Sequence, residues 1–135
     1  MYRYRPRTRP DPALWLSLDE QDRISSVEAF HRSERIQLPN LTAHAIFHVF
    51  VENQIAEEHG PVVHAMQRLV DEGLSRHESL HAVAWVLSQE LHHAAQVATV
   101  EPVAGKVDVQ PRYDAALERL SAASWRAQAD GDDET

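Results

Sequence analysis

The sequence predicts an all-α protein, a small antiparallel helical bundle with a flexible N-terminal arm and C-terminal tail. Three observations predict it. Apolar residues recur at spacings of three and four along most of the chain, proline and glycine fall between these stretches, and capping residues stand where the stretches begin. With 135 residues, 43% of them hydrophobic and 25% charged, the chain suffices for one core and is too short for two ordinary domains. The expected organisation is a basic arm over residues 1–12, one helical domain over 13–128 and an acidic, disordered tail over 129–135.

The elements follow in order. Prolines at positions 6, 10 and 12 keep the arm from forming helix. Leu14, Trp15 and Leu16 open a first helix that continues through residues 19–31 on Ile24, Val27 and Phe30. Asn40 is a good N-cap for a long helix running to about residue 58, before Gly60-Pro61. Pro61 suits the first position of the next helix, residues 61–72, which carries Val62, Met66, Leu69 and Val70 on one side and ends at Gly73, with Leu74 placed for the contact of a Schellman motif. Ser75 and Glu78 form a capping box for a helix reaching about residue 98. Residues 99–111 read as an extended loop, and residues 112–128 as a last helix on Tyr113, Leu117, Leu120 and Trp125.

Composition excludes several functions. The chain has no cysteine, which removes disulfides, thiolate nucleophiles and Cys-based zinc modules, so any metal must sit on His and carboxylates. No apolar run approaches the roughly 20 residues of a membrane span. The basic start is not followed by the apolar stretch of a secretory signal, and a cytoplasmic location is expected. Net charge is −8, and −12 once Arg3, Arg5, Arg7 and Arg9 of the arm are set aside, which disfavours nucleic acid as a partner. Gly105-Lys106 lacks the rest of a phosphate loop.

Histidine is the outlier, at nine of 135 residues. On the long helix His44, His48 and Glu52 stand four apart and fall within about 80° of one another. They share their face with Leu41, Val51 and Ile55, while Ile46, Val49 and Phe50 make a second apolar side, so the helix is expected to be central and its polar stripe buried. On the later helix His77 lies in the stripe of Leu80, Ala84, Leu87 and Leu91, and His81 lies at its edge. His31, His59, His64, His92 and His93 read as wet flank residues. Short connections predict that these two histidine-bearing helices run the same way, with His77 level with His48 and His81 level with Glu52.

Residues 77–81 also match H-E-x-x-H, in which two histidines one turn apart bind zinc and the glutamate polarises a bound water. The similarity to zincin metallohydrolases is weak: the later glycine and third histidine of the long pattern are absent, and Glu101 precedes Pro102 in a loop. The run from Asn40 through His44, His48 and Glu52 to Gln54, followed by Arg76-His77-Glu78-Ser79-Leu80-His81-Ala82, resembles a family of short bacterial proteins of unknown function. Trp15-Leu16-Ser17-Leu18-Asp19-Glu20 and Ala29-Phe30-His31-Arg32 extend the resemblance over roughly residues 14–95. It implies a helical fold and a His/Glu cluster that belongs together, and it carries no activity.

The expected site is therefore a divalent metal held by His48, Glu52, His77 and His81, with His44 as a further ligand or a partner of one. Zinc comes first, with iron or manganese as alternatives. The expected function is a metal-binding protein and metal-dependent hydrolase of a small molecule or peptide, with Glu78 or Glu52 activating a water. The alternative is a non-enzymatic helical interaction module, a homodimer in one form, whose buried His/Glu cluster is a structural hydrogen-bond network.

Overall fold

The computed structural model describes residues 2–100 and 108–133, and among these it holds seven helices and no strand. They are α1 (Pro12–Ser17), α2 (Glu20–Ser33), α3 (Leu41–Ala56), α4 (Gly60–Asp71), α5 (Arg76–Val100), α6 (Gln110–Arg119) and α7 (Ala122–Asp133). Residues 101–107, and with them Glu101, Gly105 and Lys106, lie outside the described part.

The cap chemistry explains most boundaries. The Asn40 side chain accepts from the Ala43 amide, and the Ser75 hydroxyl accepts from the Glu78 amide. At the end of α4 the Leu74 amide reaches the Leu69 carbonyl and the Gly73 amide that of Val70. This is the expected Schellman stop, with Gly73 at φ +105°.

Two predicted helices are each split. The Asp19 carboxylate accepts from the Asp22 amide, so it caps α2 and separates it from α1. The Ser121 hydroxyl accepts from the Ser124 amide, which breaks α6 from α7 just after Leu120. In both places a short polar side chain competes with the helix for the backbone. Helix α7 continues to Asp133, beyond the expected end at residue 128, because no proline intervenes and Gly131 is tolerated within it.

Two apolar clusters hold the bundle. The larger joins Val51 and Ile55 of α3 to Leu69 of α4, Leu80 and Val83 of α5, and Leu117 of α6. The smaller packs Tyr4, Trp15, Val27, Ala45 and Val49 together. The arm forms no helix, yet Tyr4 within it is buried to 2% exposure, with its ring 5.7 Å from Trp15. Helix α3 is central along its polar stripe and Val49. Its second apolar side is only partly covered, since Ile46 and Phe50 stay exposed.

The direction of α5 corrects the expected register. His81 lies against His44 and His48, and Arg76 against Glu52, so residue numbers fall along α5 as they rise along α3. The two helices are antiparallel where they share the site. Glu58, in the turn between α3 and α4, takes φ +59°, and helical periodicity carries no signal of the direction in which one helix passes another.

Gly73→Ala is expected to lower stability by about 1–2 kcal/mol, because its positive φ is unfavourable for any residue with a Cβ. A urea titration would show this as a lower midpoint at unchanged slope.

Candidate metal centre

Five imidazoles from three helices share one space. His31 comes from the last turn of α2, His44 and His48 from α3, and His77 and His81 from α5. The ring centroids of His31 and His44 are 4.7 Å apart, those of His44 and His81 4.8 Å, and those of His77 and His81 4.4 Å. Each of His31, His44, His48 and His81 offers a ring nitrogen, and these four atoms lie within 4.8 Å of one another. A zinc ion about 2.0–2.1 Å from each of four nitrogens would hold them roughly 3.4 Å apart. The Nε2 atoms of His48 and His81 are already 3.1 Å apart.

Two tautomers follow from the hydrogen bonds. His31 Nδ1 is 2.9 Å from the Val27 carbonyl oxygen. A carbonyl only accepts, so Nδ1 carries a proton, and in the neutral ring Nε2 is the bare lone pair. The Tyr4 hydroxyl has one proton and gives it to Glu52 Oε2 at 2.6 Å. Its contact with His48 Nδ1 at 3.2 Å must then be a donation from the imidazole to the phenol oxygen. His48 Nε2 is thereby left bare as well, facing His81. Metal-binding histidines are oriented in this way, through the nitrogen that does not ligate.

Glu52 anchors that chain of contacts. Its side chain is fully buried, and Arg76 binds it with two donors, NH1 to Oε2 at 2.9 Å and NH2 to Oε1 at 2.7 Å. The expected ligand Glu52 therefore stands behind His48, with its oxygens engaged by Arg76 and Tyr4. Burial works against the Arg76 charge, but hydrogen bonds and attraction from Glu52 outweigh it and raise the guanidinium pKa. Burial first, and then the Glu52 charge, push the Tyr4 hydroxyl well above its ordinary range.

His44, His48, His77 and His81 are kept neutral. Burial, reinforced by neighbouring imidazoles, lowers His44 to about 4, His77 to about 4 and His81 to about 3, and it depresses His48 further. Neutral imidazole is the ligating form. Nε2 of His31, of His44 and of His77 is buried without any hydrogen-bond partner in the protein.

The structure thus gathers His44, His48, His77 and His81 as the sequence suggests, and adds His31, which the sequence reading assigned to the wet flank. His31 lies seven residues after Ile24 and four after Val27, on the buried side of α2, and that spacing was an available signal. Tyr4 and Arg76 were also missed. Tyr4 sits in a segment without helical periodicity, and Arg76 is a helix-start residue whose partner is set only by the antiparallel register. Glu78 stands away from this group: its carboxylate accepts from Trp125 Nε1 of α7 at 3.3 Å. His59 is paired instead with Asp114 and Gln110 at the start of α6.

No family model matches the chain, and neither curated proteins nor solved structures provide a significant match.

Below pH 6.5 these histidines take up protons in the unfolded chain but not in the native one. Their contribution is fully present above pH 6.5 and is lost as pH falls towards 3–4, through the folded values of His44, His77 and His81. Metal-free protein is expected to show urea midpoints that drop steadily from pH 7 to pH 4; a flat profile would contradict the neutral cluster. Tyr4→Phe strands the buried Nδ1–H of His48 and is expected to cost about 1–3 kcal/mol, read from the same unfolding curves at pH 7.

Proposed function

We propose that this chain is a small divalent-metal-binding helical protein whose ion is held by His31, His44, His48 and His81, with His77 alongside. One observation carries the reading: three imidazole nitrogens of a single cluster are buried with no partner in the protein. A cluster kept only to fix helix register would pair its donors and acceptors, since each unpaired buried group costs about 1–3 kcal/mol. An ion accepts several lone pairs at once and removes that cost.

The donor set bears on the metal. Four neutral imidazoles suit zinc best, and also iron. Manganese favours oxygen ligands, and the carboxylate that would supply them, Glu52, is occupied by Arg76 and Tyr4. The hydrolase reading, with Glu78 activating a water, rests on the spacing of residues 77–81. It requires the Glu78 carboxylate to leave Trp125 and turn towards the histidines.

Elemental analysis of protein purified without an affinity tag tests the proposal. About one equivalent of metal per chain is expected in the parent and none in His48→Ala/His81→Ala, while His31→Ala holds it more weakly and Glu78→Gln holds it unchanged. A folded, metal-free parent that cannot be loaded with zinc or iron would leave the cluster as a polar network in an interaction module.

A further inference from the structure

A cavity of about 910 Å³ opens between the arm and α2, and Tyr4 and His77 belong both to its wall and to the histidine centre. The arm supplies Arg3, Arg5 and Arg7 to the lining, and Tyr2 and Phe30 add aromatic surface. Tyr4 and Pro6 are buried and Arg3, Arg5 and Arg7 are exposed, the last two on a turn closed by the Thr8 amide donating to the Arg5 carbonyl, so the buried pair pins an outward-facing rail of arginines. Among the described residues none of these three guanidinium groups has an ion-pair or hydrogen-bond partner. One carboxylate, that of Glu34, faces them across the lining. Three cations against one anion make this a local excess of positive charge in a chain of net charge −8.

We propose that this cavity binds a small organic oxyanion, a carboxylate or phosphate on an aromatic or apolar body, and presents it to the histidine centre beside His77. The size falls in the range of pockets for small ligands, about 300–1,000 Å³. Guanidinium groups match carboxylate and phosphate geometry through paired N–H donors, and Tyr2 and Phe30 supply the apolar contact for the body. The charge of the centre favours the same ligand. Four neutral imidazoles leave the charge of a bound dication unbalanced, and the carboxylate behind His48, Glu52, is already neutralised by Arg76. The presentation of the ligand to an ion rests on the metal reading above; the affinity of the arginine rail does not.

The test is calorimetric titration of the full chain, zinc-loaded and metal-stripped, with phenyl phosphate, benzoate and neutral benzyl alcohol. Saturable binding of one or both oxyanions to the stripped protein is expected, tightened by zinc, with no binding of the alcohol. Preference between phosphate and carboxylate identifies the headgroup. Arg3→Ala/Arg5→Ala/Arg7→Ala is expected to weaken binding at least tenfold while keeping the parent's unfolding curve and metal content, since all three side chains are exposed. Absence of oxyanion binding in both forms, or affinity unchanged in the triple variant, would overturn the cavity assignment, including where zinc binds normally. Oxyanion binding that survives metal stripping in a protein that takes up no zinc would retain the cavity and fail the metal reading alone.

Discussion

The carboxylate of Glu52 is the constraint around which this half of the bundle is arranged. It is fully buried, and an isolated charge there would cost far more than a domain of this size can spare. Arg76 answers the charge with two hydrogen bonds, and Tyr4 takes the remaining direction. Three segments distant in sequence, the arm, α3 and the start of α5, are therefore tied to one group. Removing one partner of such a pair typically costs about 3–5 kcal/mol, because the other charge is left buried and unpaired. Arg76 also donates to the Pro6 carbonyl, which fastens the arm a second time.

The same constraint sets the chemistry of the cluster. By consuming the proton of Tyr4, Glu52 makes the phenol oxygen an acceptor, and the acceptor fixes His48 with its lone pair turned towards His81. The Val27 carbonyl does the equivalent for His31. Burial lowers the pKa of His44, His48, His77 and His81, so protons compete weakly for their lone pairs at neutral pH. Orientation and protonation state are thus decided by groups outside the ring of nitrogens.

Much of this was legible in the sequence, for reasons that can be named. Asn40, Gly73 and Ser75 mark their boundaries because capping is local chemistry, written within three or four residues. The inward face of His44, His48, His77 and His81 follows from the helical period. What periodicity cannot supply is the direction in which one helix passes another. The parallel register expected for α3 and α5 placed His81 beside Glu52 and made the carboxylate a ligand; the antiparallel one gives that place to Arg76. The breaks at Asp19 and Ser121 escaped because their flanking residues keep an apolar period across the interruption. Tyr4 escaped because an arm rich in proline and arginine reads as solvated, and its anchor is a buried acid 48 residues away.

The H-E-x-x-H spacing makes a related point about motifs. His77 and His81 enter the cluster because a four-residue step returns to the same helix face, and any buried histidine pair at that spacing does so. Glu78, one residue on, is rotated by about 100° and meets Trp125 on the other side of α5. In a hydrolytic site the glutamate reaches its water because the helix faces an open cleft on that side. Here Glu78 is exposed and its carboxylate is engaged by Trp125 of α7, while the cavity lies on the side of the arm, next to His77. The groups best placed to meet a ligand at this centre are consequently the arm's arginines and aromatic rings, and the buried acid serves to hold that arm in position.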